Sequence, residues 1–281
     1  MANYQALIAR FASAIWPPVV KADAYGLGAR QIAAALIDSG YRHFFVALLE
    51  KAIDLRAALA PETTIYVLSG LKADAEVHYA RCNLETVQNT FEQCRLWAEQ
   101  GGRPAVLQVD SGMSRLGLSV EKQNALAADA ELLVTLNLTL IMSHLANAAM
   151  PNHRSSQQKF QAPNLAMTRF PRSPASLAKS AGIVLSSGYH FDLCHPGAAP
   201  YGLEAVPRVN GLARSPGSQF GSHKSAASRP TPALAMDMIL PRPMRIATIA
   251  VGYADGWPRA LFSRAAAWVD GQSDPGQCFD G

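Results

Sequence analysis

Along the first two hundred residues, short apolar runs rich in β-branched side chains alternate with longer stretches whose apolar positions recur every three or four residues. The runs at 17–21 (PPVVK), 43–47 (HFFVA), 64–70 (TIYVLSG), 104–110 (PAVLQVD), 136–144 (LNLTLIMSH), 174–180 (PASLAKS) and 190–197 (HFDLCHPG) predict strands. Helical spacing predicts helices over 27–40, 49–60, 89–102 and 120–133, with a further helical stretch over 153–170; the segment 73–87 carries no clear period. Strand and helix alternating at roughly 25-residue intervals predict right-handed βαβ units on a parallel sheet. About eight units fit, which is the number of an α/β (β/α)8 TIM-type barrel. An open doubly wound sheet is the rival architecture. No GxGxxG follows the first strand, and polar residues collect at many strand ends, so the barrel is the better fit.

The rhythm breaks at 210–232, where five serines and three prolines stand with no acidic residue. Such a stretch has too few apolar residues to offset the entropy of ordering and reads as a linker. Beyond it, 244–259 reads as a strand running into a glycine-rich turn, and 265–272 as a second strand. The expected organisation is a barrel over 1–208, a linker or irregular segment over 209–235, and an incomplete C-terminal β domain over 236–281.

Composition narrows the function classes. The chain has 281 residues, 49% hydrophobic and 16% charged, which fits a globular protein with a sizeable core. A net charge of +4 is too thin an excess to point to nucleic acid. No apolar run reaches the length of about 18 residues that a membrane span requires, and the N-terminus has no signal-peptide h-region. The four cysteines show no metal-ligand spacing, so no metal site is expected and a reducing, cytoplasmic setting is.

The chemistry concentrates in VVKADAYGLG (19–28). Lys21 ends a buried strand, where a barrel presents its catalytic groups. A lone lysine there is most often a side chain snorkelling to water. Desolvated, it has a lowered pKa and can form a Schiff base with a carbonyl. Tyr25 could pack on a ring or bond a phosphate, and Gly26 and Gly28 let backbone pass close to a ligand.

This decapeptide resembles the pyridoxal-phosphate attachment motif of alanine racemases, through the core KADAYG. Five further segments resemble that family in order: QVDSGMSRLG (108–117), IMSHLA (141–146), SLAKSAGI (176–183), FDLCHPGAAPYGL (191–203) and AVGYADGWPR (250–259). The resemblance implies the following roles. Lys21 carries pyridoxal 5'-phosphate and is one acid–base catalyst. Tyr253, from a partner subunit of a homodimer, is the other, on the opposite face of the cofactor. Arg115 binds the substrate carboxylate. His144 packs on the cofactor ring and His195 faces the ring nitrogen. Ser180, Gly197 and Ala198 hold the phosphate, and Tyr25 also binds the cofactor. The implied activity is that of an isomerase, interconverting L- and D-alanine and supplying D-alanine for cell-wall peptidoglycan. Two alternatives remain open at this level: a relative that binds the cofactor with little or no turnover, and a broad-specificity amino-acid racemase.

The chain also departs from the family pattern. His195 stands where the family usually has an arginine, Lys179 where it commonly has asparagine, and Gln108 where many members carry a lysine modified to a carbamate. Because arginine is the familial residue, His195→Arg is expected to keep or raise activity. Relative to the pattern, the chain is expected to lack a first strand before Met1, and a Met-Asp motif and a phosphate-reaching tyrosine beyond Gly281.

Overall fold

The computed structural model describes residues 2–10, 16–145, 169–170, 173–203, 248, 252–256, 267–269 and 272–274. Seven strands form one parallel sheet in chain order: β1 (His43–Val46), β2 (Thr64–Val67), β3 (Glu85–Gln88), β4 (Ala105–Gln108), β5 (Leu138–Met142), β6 (Ala175–Ala178) and β7 (Leu193–Cys194). The extended segment 17–20 is the eighth stave. On one side Val20 N–H donates to Phe45 O (2.9 Å) and Phe45 N–H to Pro18 O (3.0 Å); on the other Val19 N–H donates to Pro196 O (3.2 Å), just past β7. The ring is therefore closed, and the expected eight-fold barrel is the fold.

Two apolar layers hold it. Val19, Phe45, Tyr66, Val87, Val106, Leu140, Met142 and Leu193, drawn from nearly every strand, pack together inside the ring. The alternate strand residues, such as Phe44, Ile65, Leu107 and Ile141, join helix residues such as Leu36, Leu55 and Trp97 in the outer layer. The helices are α1 (Ala2–Arg10), α2 (Ala29–Asp38), α3 (Leu49–Arg56), α4 (Glu76–Arg81), α5 (Phe91–Ala98), α6 (Val120–Ala128), α7 (Ala130–Leu136) and α8 (Ser180–Leu185). Three begin on side-chain caps: Thr90 accepts from Gln93 N–H, Ser119 from Lys122 N–H and Asp129 from Leu132 N–H.

The expected helix over 120–133 is thus two helices, because Asp129 leaves helical geometry (ψ 82°) and caps the second. The unperiodic segment 73–87 holds α4 and β3, each too short to show a period. A two-stranded antiparallel ribbon, β8 (Ala267–Val269) with β9 (Gln272–Asp274), continues the strand expected at 265–272. Tyr253–Asp255 is a 3-10 turn in which Gly252 N–H donates to the Asp255 carboxylate (2.9 Å). The helix expected over 153–168, the linker over 209–235 and most of the strand over 244–259 lie outside the described residues. Cys82, Cys94 and Cys194 are free thiols. Among the described residues no helix is long and apolar enough to cross a membrane.

Candidate active site

All the site residues of the barrel stand at the C-terminal ends of its staves: Lys21 after 17–20, Arg115 in the loop after β4, His144 after β5, Lys179 and Ser180 after β6, and His195 to Gly197 after β7. Strand pairing brings together residues as far apart in the chain as Lys21 and Gly197, and the local backbone then aims them.

The strongest local device follows Lys21. Ala22, Asp23, Ala24 and Tyr25 all have φ between +51° and +57°, a full left-handed turn of non-glycine residues. Left-handed geometry costs an L-residue about 1–2 kcal/mol, so four in a row must be held by the surroundings. The holding bonds are Ala24 N–H to Val20 O (3.1 Å), Gly28 N–H to Asp23 O (2.9 Å), and Ala29 N–H to the Asp23 carboxylate (2.7 Å). Asp23 thereby ties the turn to the start of α2. The turn packs the Tyr25 ring 4.9 Å from that of Tyr201, whose own hydroxyl donates to Val19 O (2.9 Å). It also sets the Tyr25 hydroxyl against Gly197, where a Cβ would collide with it.

The Tyr25 hydroxyl faces a small cup of amides. Gly197 N–H and Ala199 N–H both donate to Ser180 Oγ, at 3.0 and 3.1 Å. Converging amide donors of this kind suit an anion. The expected residues Ser180 and Gly197 are here; the second amide is that of Ala199, one residue past Ala198, whose α-region backbone (φ −63°, ψ −43°) starts the short 3-10 turn Ala199–Tyr201.

At the ends of β5 and β7 lies a pair of imidazoles, His195 buried and His144 half-buried. His144 Nδ1 is 3.3 Å from His195 Nε2, and the rings are close to parallel at 29°, centroids 5.4 Å apart. His195 Nδ1 is 2.9 Å from Ser176 Oγ. Burial pushes the His195 pKa down to about 3, with the charges of Lys179 and Lys21 adding to it. Burial likewise holds His144 well below the ordinary range, helped by Lys179, His195, Arg115 and Lys21. Both rings are therefore neutral at pH 7.

Three cations surround them. Lys21 is lowered by burial and by Arg115, and Lys179 falls to about 8 by burial, Arg115 and Lys21. Burial lowers Arg115 as well, and its Nε has no hydrogen-bond partner. Among the described residues no carboxylate pairs with any of the three. The loop that carries Arg115 is set by Asp110, whose carboxylate accepts from Gly112, Met113 and Ser114 N–H at 2.9, 2.9 and 3.0 Å. Thr248 Oγ1 donates to Arg115 O (2.6 Å). Gln108 is buried at the end of β4. The Tyr253 side chain lies outside the described part.

Sequence reasoning passed over Asp110, Ser176, Ala199 and Tyr201. Asp110 had a signal, since Asp before Ser-Gly is an Asx-turn pattern; the others had none apart from the fold. Among the described residues no three His, Cys, Asp or Glu side chains gather as a metal site would require.

A cup of amides and three basic groups, one of them an amine of lowered pKa, with no anionic partner among the described residues, fit a phosphorylated aldehyde and a carboxylate better than a neutral ligand. Known proteins point the same way. Residues 1–205 match the family described as alanine racemase, N-terminal domain, and residues 234–276 that described as alanine racemase, C-terminal domain. The chain is 37% identical over 287 residues to an alanine racemase of Brucella canis, covering 95% of this chain and 72% of that one. It is 38% identical over 291 residues to a catabolic alanine racemase of Mesorhizobium japonicum, covering 96% and 72%. Among solved structures, alanine racemase from Bartonella henselae, with covalently bound pyridoxal phosphate, aligns with a TM-score of 0.69 at 34% identity, over 97% of this chain and 77% of that one. This chain belongs to the alanine racemase family.

Proposed function

We propose that the chain is an isomerase that interconverts L- and D-alanine with pyridoxal 5'-phosphate held at Lys21. The observation that carries the reading is the convergence, on one barrel face, of the Ser180 amide cup and three basic groups, Lys21, Arg115 and Lys179, with no carboxylate partner among the described residues. Tyr25, Ser180 and the Gly197–Ala199 backbone would hold the phosphate, His144 and His195 would line the ring, and Arg115 would take the substrate carboxylate through a charge-assisted bond. When bound, the cofactor supplies an electron sink for the charge left on Cα.

The chain's own groups do the rest. A lowered pKa gives Lys21 more free amine near neutral pH, so its Nζ can both hold the cofactor and move a proton. Racemisation needs a second acid–base group on the opposite face, and Tyr253 of a partner subunit fills that role in this reading. The left-handed turn fixes the backbone between Lys21 and Tyr25. The relatives named as alanine racemases favour turnover over a merely cofactor-holding relative, and favour alanine over a broad substrate range.

The same reading makes the protein a cytoplasmic homodimer that supplies D-alanine for peptidoglycan. It divides the chain into a barrel over 1–208, an intervening segment over 209–235 and a β portion over 236–281, in keeping with the two separate family matches. The test is conversion of L-alanine to D-alanine by the purified, cofactor-loaded chain, with Tyr253→Phe alongside. Racemisation in the parent, suppressed in the variant while the cofactor absorbance stays, is the expected result. No racemisation by the folded, loaded parent would overturn it.

A further inference from the structure

Ser176, His195 and His144 come from three adjacent staves, β6, β7 and β5, and form one hydrogen-bond chain. Ser176 is fully buried, and His195 is 5% exposed. A neutral imidazole has one N–H and one lone pair, so the direction of either His195 bond dictates the other. The serine end decides it. Among the described residues the Ser176 hydroxyl has no partner besides His195 Nδ1. If it accepted from His195, its own proton would be buried without an acceptor, at a cost of about 1–3 kcal/mol. If it donates, only spare oxygen lone pairs are left over, which buried acceptors tolerate better.

We infer that Ser176 is a positioning residue, whose hydroxyl proton fixes His195 as the tautomer protonated at Nε2. His195 Nε2–H then donates to His144 Nδ1, and His144 carries its own proton on Nε2. Both nitrogens of His195 are spent inside the protein, so the stave that carries arginine in the family pattern offers the cofactor ring a neutral imidazole. The positive charge on this side belongs to Lys179 instead. The groups that face the imidazole pair are Lys21 at the end of 17–20, Arg115 after β4, Ser176 on β6, Lys179 just after it, and Phe45 on β1. All the charged ones are cations, which oppose a second proton on either ring. The tautomer assignment stands apart from the racemase reading; only its kinetic consequence rests on that reading.

The experiment is nitrogen NMR of the full, cofactor-loaded chain labelled at histidine, with His195→Gln and His144→Gln used to assign the two rings. The expected spectrum has His195 protonated at Nε2 and bare at Nδ1, unchanged from about pH 6 to 9. In Ser176→Ala the His195 signals move to a mixture of tautomers, and kcat falls about tenfold with KM unchanged, the low end of the loss on removing a partner that fixes an imidazole's tautomer. Ser176→Thr, which keeps a hydroxyl, restores the parent tautomer. A parent protein protonated at Nδ1 of His195, or a Ser176→Ala protein with the parent tautomer, overturns the inference. If neither variant folds, the parent spectrum decides alone. Absence of racemisation with the predicted tautomer intact would instead count against the proposed function.

Discussion

The hydroxyl of Tyr25 fills the space that a Cβ on Gly197 would need: a side chain as small as a methyl there would run into it. The left-handed turn after Lys21 and the loop after β7 therefore fit together only with glycine at 197. Gly197→Ala is expected to displace Tyr25, weaken pyridoxal phosphate binding about tenfold and cost about 1–3 kcal/mol of stability through overpacking. Adding Tyr25→Phe removes the colliding oxygen, so the double variant should regain most of the stability but not the affinity. Denaturant melts with cofactor titrations measure both; an affinity untouched by Gly197→Ala would deny the contact its role.

Asp110 never reaches the substrate region in this account, yet it holds three amides of the loop that presents Arg115. Asp110→Ala is expected to cost about 2 kcal/mol and to raise KM for alanine more than it lowers kcat. Asp110→Asn keeps an acceptor oxygen and should do less of each. Steady-state kinetics of the two variants, read against the parent, check the ordering.

Acid sensitivity follows from the imidazole pair. The folded-state pKa of His195, about 3, and that of His144 lie below the unfolded value near 6.5. As pH falls the unfolded chain takes up these protons first, so stability is full above about pH 6.5 and is lost as pH drops from there toward about 3. His195 contributes about 1.4 kcal/mol per pH unit over that window, and His144 adds to the loss in the same direction. Urea midpoints between pH 7 and pH 5 should fall more gently in His195→Gln than in the parent. Equal slopes would mean that His195 is not held neutral.

For His195→Arg, stability and activity are separate questions. His195→Arg looks favourable from the pattern, since it restores the familial residue. In the fold it adds a fixed charge beside Lys179 and Lys21, with no described carboxylate to receive it. The single variant is expected to lose about 3 kcal/mol of stability, and Lys179→Asn to recover about 1–2 kcal/mol of that when combined with it. Thermal or urea unfolding of the two single variants and the double measures the coupling directly. Additive effects would place the two positions outside each other's influence.

Much of this site was legible because barrel chemistry gathers at strand ends, and strand ends are what a period-two apolar run announces. Lys21, His144, Ser180 and His195 each follow such a run, and the fold brings them onto one face. The short polar strand β3 (ETVQ) was not legible, since its Thr86 and Gln88 are buried against helices and break the apolar alternation. Asp129 hid a helix break by being an ordinary polar residue in the middle of an unbroken helical period. Ser176 was invisible for a different reason. Its meaning depends on the register shift between Ser176 and Ala178 where β6 meets β7, and no single sequence prints a register.

The central claim is that Lys21 holds pyridoxal phosphate in a working site. The most direct measurement is the visible absorption of the purified chain titrated with pyridoxal phosphate, beside Lys21→Ala. A violet-region band that saturates in the parent and is missing from the variant is the predicted result. A folded parent that gives no band, or a variant that gives the same one, would contradict the account.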